Sequence, residues 1–162
     1  MNPEVVKQIF ARNGCSIGDL AKEKVASTYT IYSTIDALQW LGIVSFEKGA
    51  IKTLESPTTS VFKKLLSDGF DIKILSKKTL EFYLHLLEAK KTRELAQETG
   101  KSEAHTNALL KKYSHFLQKD GLNYSVSNLN TALLELLRLV AASKNAGQYW
   151  SGKNGEKLLK LP

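Results

Sequence analysis

The sequence has 162 residues, of which 43% are hydrophobic and 24% are charged, and its formal net charge is +7. This length suits one average domain or two small ones, and the composition is that of a globular protein rather than a mainly disordered chain. No run approaches the roughly 18 apolar residues of a membrane span, the first ten residues do not resemble a secretory signal, and Cys15 is the one cysteine. We therefore expect a cytoplasmic protein that has no internal disulfide and no membrane contact.

The charge is distributed unevenly along the chain. Residues 1–75 carry nine Lys and Arg against eight Asp and Glu, whereas residues 76–162 carry fourteen against eight. A basic half attracts polyanions, so this asymmetry favours a nucleic-acid partner for the second half. The alternative interpretation is a solvated, lysine-rich surface that binds nothing.

The sequence repeats its pattern at a spacing of 75 residues. The segment 19–23 (DLAKE) falls on 94–98 (ELAQE), and the apolar positions agree over about forty residues without a gap. Thr106, which falls on Ile31, is the one polar residue in this apolar register. A repeat of this kind predicts two similar structural units.

Each unit predicts three helices followed by a β-hairpin. In the first unit, Ser16 and Asp19 have the spacing of a capping box, and Asn13-Gly14 ends the helix before them. In the second unit, Gly100 stands where a helix-turn-helix turn favours glycine. The first-unit elements are expected over 3–12, 16–24, 30–41, 43–46 and 50–54. Those of the second unit are expected over 76–89, 92–98 and 102–117, with a turn at 119–121 and a strand over 122–126.

These residues resemble the winged helix-turn-helix superfamily of regulators. The resemblance depends on Ile17-x-x-Leu20-Ala21, on the hydroxyl-rich turn and helix 30–41, and on the ending Leu41-Gly42-Ile43-Val44 before a hairpin. It covers about 120 of the 162 residues. The fold it implies is mainly α with small β-hairpin wings, built of two tandem winged helix-turn-helix units plus a C-terminal apolar helix. We expect a first winged-helix domain over 1–70 and a second, with the C-terminal helix and tail, over 71–162.

The function that the resemblance implies is the binding of double-stranded DNA in transcriptional regulation, which would associate the protein with the nucleoid. In this fold the third helix lies in the major groove and its first residues contact base edges, while lysines neutralise phosphates. The DNA-binding residues expected in the second unit are Lys101, Ser102, Glu103, His105, Asn107, Lys111 and Lys112. Those expected in the first unit are Ser27, Thr28, Thr30, Ser33, Lys48 and Lys52.

Two other functions share this layout. The third helix of the first unit has no Lys or Arg, and its Tyr29 and Tyr32 suit a protein interface, where tyrosine is enriched. Tandem winged helices resemble interaction subunits of larger complexes, so a protein partner at the first unit is the main alternative. A replication initiator has a similar arrangement. RNA binding through Tyr149-Trp150 is a weaker option.

The apolar segment 129–143 predicts a helix with two alternative roles. It either packs on both units or forms a homodimer, because apolar surface on both of its sides must be covered. The residues expected at the dimer contact are Leu133, Leu136, Leu137 and Val140. Beyond it, Asn154-Gly155 suggests a small closing hairpin.

No motif in the sequence indicates catalysis. Cys15 has no activating neighbour in the sequence, and the three histidines, His85, His105 and His115, do not have metal-ligand spacing. Neither common glycine-rich phosphate loop is present. We therefore expect a non-enzymatic protein that needs no metal or cofactor, with His85 on the solvent side or between the units.

Overall fold

The computed structural model describes residues 1–126 and 130–150, with side chains up to residue 144. This part of the chain contains eight α-helices and two three-stranded antiparallel sheets, which confirms a mainly α fold with small β elements. The helices are α1 (Pro3–Ala11), α2 (Ile17–Lys22), α3 (Thr28–Trp40), α4 (Pro57–Ser67), α5 (Lys77–His85), α6 (Thr92–Thr99), α7 (Glu103–Lys112) and α8 (Thr131–Trp150). The strands are β1 (Cys15–Ser16), β2 (Val44–Glu47), β3 (Ala50–Thr53), β4 (Lys90–Lys91), β5 (Gln118–Asp120) and β6 (Asn123–Ser125). The expected tail hairpin at Asn154-Gly155 lies outside the described residues.

Serine side chains begin five of the helices. In each case the Oγ accepts the backbone N–H three residues on, at 3.0–3.2 Å, which satisfies a donor that the helix itself leaves unpaired. The five caps are Ser16, Ser27, Ser56, Ser76 and Ser102. At α2 the Asp19 carboxylate also accepts the Ser16 N–H at 2.9 Å, so the predicted capping box is confirmed.

Two predicted helices end earlier than expected, and tertiary contacts explain both. Leu86 is buried and its carbonyl accepts the Val126 N–H at 3.1 Å, so the chain leaves α5 at His85 instead of continuing to 89. The third helix of the second half stops at Lys112, and a 3₁₀ turn over Ser114–Phe116 follows. This turn places the Phe116 ring against Tyr83 and Phe70, at centroid distances of 6.2 and 5.9 Å.

The two sheets have the same topology. In the first, β3 lies between β1 and β2, and in the second, β6 lies between β4 and β5. The strands β1, β4 and β5 were absent from the sequence prediction. Residues 119–120, which were expected in a turn, belong to β5, because Asp120 pairs with Asn123 across the two-residue turn Gly121-Leu122.

The repeat is longer than the sequence alone indicates. Each half has the order helix, strand, two helices, two strands and helix, so α4 and α8 are counterparts. Equivalent helix caps in the two halves are 74 or 75 residues apart. The separation is 74 between Ser56 and Asn130 and between Asn2 and Ser76. It is 75 between Ser27 and Ser102. The alignment of the two halves therefore contains single-residue gaps.

The polar residue in the apolar register is buried like its counterpart. Thr106 and Ile31 are both inaccessible to solvent, and the Thr106 hydroxyl donates to the Ser102 carbonyl at 2.9 Å. This bond removes the penalty for burying an unsatisfied hydroxyl. Thr106 therefore differs from Ile31 in the polarity of its side chain and not in its burial.

The C-terminal helix packs inside the chain. α8 lies against α4 and α5, and its inward side chains belong to one hydrophobic core that extends through both halves. Leu133, Leu136, Leu137 and Val140 are only 0–2% exposed in the single chain. The assignment of these four side chains to a dimer contact must therefore be corrected, because the chain itself covers them.

The segment that joins the halves is anchored in the core. Ile72 and Leu75 are buried, and their carbonyls accept hydrogen bonds from the Met1 ammonium group. Asp36 of α3 forms an ion pair with Lys77 of α5 at 3.7 Å. The core is consequently continuous across the region where the sequence places a domain boundary.

Within the described residues, none of the helices combines the length and hydropathy that crossing a bilayer requires.

Replacement of Leu136 by Ala tests the role of α8. We expect a loss of about 2–5 kcal/mol in the free energy of unfolding, measured with urea, because a fully buried leucine leaves a cavity. Leu122→Ala in the exposed turn is the matched control and should cost little. A Leu136→Ala variant that keeps its stability but changes its sedimentation behaviour would instead support the dimer interpretation.

Candidate nucleic-acid interface

The seven residues expected to contact DNA in the second half lie at α7 or directly before it. Lys101, Glu103, His105, Asn107, Lys111 and Lys112 are exposed, and so is Ser102. The Ser102 Oγ already accepts the His105 N–H, so its main role in this structure is to begin the helix. A short, N-capped helix with an exposed first turn has the dimensions to enter a major groove.

Asn107 is held in place by the preceding helix. The Thr92 hydroxyl at the start of α6 donates to its Oδ1 at 3.2 Å. The Asn107 amide group keeps both N–H donors and one acceptor lone pair, which is the set that pairs with an adenine edge. A side chain fixed in this way loses less conformational entropy on binding.

Glu103 is the one carboxylate within α7. The Arg93 Nε lies 3.9 Å from its Oε1, in an exposed pair that contributes little to stability. The pair nevertheless offsets a negative charge at the end of the helix that would approach phosphates. Arg93 was absent from the predicted set, although it is a basic residue in the helix before the turn.

A groove runs along the other side of α7. It has a volume of about 650 Å³, and α5 forms its opposite wall. Lys101, His105 and Lys112 of the predicted set line it, and the Lys112 Nζ lies 5.3 Å from the Tyr113 ring centroid. Lys111 is exposed and does not line the groove. The structure thus divides the predicted residues between two sides of one helix.

His85, Glu98 and Lys90 form a charged network beside this groove. The Glu98 carboxylate lies 2.7 Å from the His85 Nδ1 and 3.3 Å from the Lys90 Nζ, and the Lys90 Nζ also donates to the His85 carbonyl. Burial opposes ionisation of Glu98, but the bonds to His85 and Lys90 outweigh it and lower the pKa of this carboxyl. No local pattern in the sequence predicts this network, because its members lie on different elements.

The hairpin of the second half adds a basic residue that the sequence prediction omitted. Lys119 lies on β5, and its Nζ stands 5.4 Å from the Tyr124 ring centroid on β6. Leu122, at the turn of the hairpin, is 69% exposed. A lysine beside the tip of a hairpin is of the residue type that contacts phosphates in protein–DNA complexes.

The hydroxyl groups of the first half are largely engaged within α3. The Ser27 Oγ caps the helix and lies 2.9 Å from the Thr30 Oγ1, and the Ser33 Oγ donates to the Thr30 carbonyl at 3.1 Å. Thr28 is exposed. These hydroxyls are therefore less ready to contact DNA than their number in the sequence suggests.

The remaining first-half candidates are in the hairpin. Lys48 and Gly49 form the turn between β2 and β3, both with positive φ, and Lys52 is exposed on β3. A two-residue turn with positive φ at both positions matches the twist of the strands. Lys48 therefore projects from the tip of this hairpin, as expected, although glycine would suit its backbone better.

No match to this chain was found among family profiles, curated proteins or solved structures. We therefore infer a function from the geometry of α7 and its surroundings. Within the described residues, no group of three His, Cys, Asp or Glu side chains is placed to hold a metal ion.

The Glu98 network makes stability depend on pH. The folded-state pKa of Glu98 lies below the ordinary value of 4.5, so its contribution is complete above that value and is lost as the pH falls. We expect the stability advantage of the wild type over Glu98→Gln to shrink as the pH falls below about 4.5. Urea unfolding at several pH values measures this difference. Glu88→Gln, at an exposed position, is the control, and equal pH profiles for wild type and Glu98→Gln would contradict the role of the network.

Proposed function

We propose that this chain is a non-enzymatic DNA-binding protein built of two tandem winged helix-turn-helix units, and that α7 of the second unit contacts duplex DNA. The observation that carries the proposal is α7 itself, a serine-capped helix with an exposed first turn and lysines at both ends. Transcriptional regulation in the cytoplasm, in association with the nucleoid, is the role expected of such a protein. Replication initiation is a related role with the same DNA contact.

The repeated topology supports the winged-helix assignment. In each half a two-residue strand precedes the second helix and pairs with the second strand of the hairpin. The hairpins β2–β3 and β5–β6 follow the third helices and take the place of wings. A compact three-helix unit with such a hairpin can present its third helix to the major groove and its hairpin to the flanking backbone.

The chemistry around α7 supports two kinds of DNA contact. Lys101, Lys111 and Lys112 supply positive charge for phosphates, and phosphate contacts provide affinity that does not depend on sequence. Asn107 supplies the amide for a base edge, in the orientation that Thr92 fixes. Glu103 is offset by Arg93 and so opposes the approach of DNA less than a lone carboxylate would.

The phosphate contacts are tested by a double replacement of Lys111 and Lys112 with Ala. We expect weaker binding to a labelled random duplex, measured by fluorescence anisotropy, and a log–log salt slope that is flatter by about two units, on the order of 0.9 per lost contact. Lys63→Ala with Lys64→Ala on α4 is the matched control. Unchanged salt slopes in the α7 variant would exclude these contacts, and no binding by the wild type at low salt would overturn the proposed function.

The base contact is tested with Asn107→Ala. After selection of a preferred duplex, this change should reduce discrimination between that duplex and random DNA by roughly 1–3 kcal/mol. Gln97→Ala, an exposed amide on α6, is the control. An equal loss of affinity on both duplexes would show that Asn107 does not read sequence.

Protein interaction through the first unit is the second candidate function. Tyr29 and Tyr32 on α3 are 82% and 51% exposed, and α3 contains neither Lys nor Arg. Exposed tyrosines without positive charge suit a protein surface better than a phosphate backbone. A homodimer would have to use this face or another exposed one, since the four α8 residues first assigned to it are buried.

The two uses of α3 are separated by replacing Tyr29 and Tyr32 with Ala. We expect the affinity for duplex DNA to stay within about twofold of the wild type, because α7 provides the main contact. The same titration measures this, with Lys111→Ala and Lys112→Ala as the variant that must respond. A loss as large as that of the lysine variant would place α3 on DNA.

A further inference from the structure

The groove between α5 and α7 combines apolar and basic side chains. Its volume of about 650 Å³ lies within the range of small-molecule sites, which is roughly 300–1,000 Å³. Phe82, Leu109 and Tyr113 give it an apolar wall. Lys78 on α5 and Lys101 and Lys112 on the α7 side also line the groove, and the Lys112 Nζ lies 5.3 Å from the Tyr113 ring centroid. Such a lining suits a ligand that has both a flat ring and a negative charge.

The positive charge of the groove is not cancelled by its carboxylates. Glu98 is already paired with His85 and Lys90. Glu81 forms no ion pair within the described residues, so it leaves one negative charge against the three lysines of the lining. Within the described part of the chain, Lys78, Lys101 and Lys112 form no ion pair. An anion entering the groove would therefore find charges that are available to it.

The first half differs at the equivalent positions. Thr34 and Ala37 of α3 are 0–1% exposed, whereas their counterparts Leu109 and Lys112 of α7 reach the surface. In the first half, the Asn2 N–H donates to the Thr34 Oγ1 at 3.0 Å, and α5 lies against α3. In the second half, none of the described residues fills the corresponding space. The first half has a smaller opening of about 270 Å³ at the equivalent place, and no aromatic side chain lines it. The aromatic and lysine-rich lining, and not the opening itself, therefore distinguishes the second half.

We propose that this groove binds a flat aromatic anion, with the ring against Leu109 and Tyr113 and a carboxylate or phosphate held by Lys78, Lys101 and Lys112. Since Lys101, His105 and Lys112 also belong to the DNA-contacting set, the bound anion weakens DNA binding. This second effect rests on the proposed function, whereas the binding of the anion does not.

Isothermal titration with 2-naphthoate tests the site directly. The neutral isostere 2-naphthamide measures what the ring contributes without charge, and we expect it to bind at least about tenfold more weakly, because it lacks the charge-assisted bonds. Adenosine monophosphate and adenosine form a second pair that separates nucleotides from aromatic acids as the source of the anion. Failure of both anions to bind overturns the proposal, and so does equal binding of each anion and its neutral partner.

The location is tested with Lys78→Glu, since Lys78 lines the groove from α5 and lies outside the DNA-contacting set. We expect a loss of naphthoate affinity on the order of tenfold or more. Lys64→Glu makes the same charge change on the exposed side of α4 and should keep the wild-type affinity. Equal affinities of the Lys78→Glu and Lys64→Glu variants would place the anion elsewhere and overturn the assignment. Thermal unfolding of both variants without ligand confirms that they fold.

The link to DNA is measured by anisotropy with and without 2-naphthoate in each variant. We expect the ligand to weaken duplex binding by the wild type and by Lys64→Glu, but not by Lys78→Glu. Naphthoate binding that depends on Lys78, in a protein that binds no duplex at all, supports the groove and overturns the DNA function. Duplex binding that naphthoate does not change, although naphthoate binds, overturns the competition.

Discussion

The packing of α8 against α4 and α5 is the contact on which the arrangement of the two halves depends. It buries Leu133, Leu136 and Leu137 completely and joins both halves in one core. α4 and α8 are counterparts in the repeat, so each half contributes its last helix to the same contact. A homodimer of single units would need such an apolar face on each copy, and here the tandem chain supplies both faces within one molecule.

The two third helices share a backbone pattern but differ in what surrounds them. α3 carries Asp36, which is paired with Lys77, and its Thr34 and Ala37 are buried. α7 has Lys111 and Lys112 at the positions of Asp36 and Ala37, and in the part of the chain that the structure describes both lysines are exposed. The repeat therefore fixes where the third helix of each half lies, while the charge of these helices differs: α7 contains two lysines, and α3 contains neither Lys nor Arg.

Local signals in the sequence predicted the helices well, because caps and glycines act over a few residues. The Ser16–Asp19 box and the left-handed Gly100 needed no tertiary information. β1 and β4 were missed because two-residue strands have no periodicity and are defined only by their partners β3 and β6. The early end of α7 depends on the contact between the rings of Phe116 and Tyr83, which are distant in sequence.

The candidate site was predicted as a set of residues but not as a geometry. The sequence placed His105 and Asn107 on one helix and Lys101 directly before it. It did not show that Lys101 and His105 line a groove against α5, or that Thr92 holds Asn107. The sequence also left the role of α8 undecided. An apolar helix indicates that its surface must be covered, but it does not indicate whether the same chain or a second copy covers it. Contacts between elements settle such questions, and a single sequence does not encode them in any local pattern.

The position of the groove gives a physical reason for the proposed coupling between a small anion and DNA. Lys101 and Lys112 cannot neutralise a ligand and a DNA phosphate at the same time. The proposed coupling therefore requires no change in backbone conformation. Coupling free energies between sites are typically about 1–3 kcal/mol, and the loss of one or two phosphate contacts is of that order at moderate salt. Because the competition is electrostatic, it must weaken as salt screens both partners, whereas coupling through a repacked core would not.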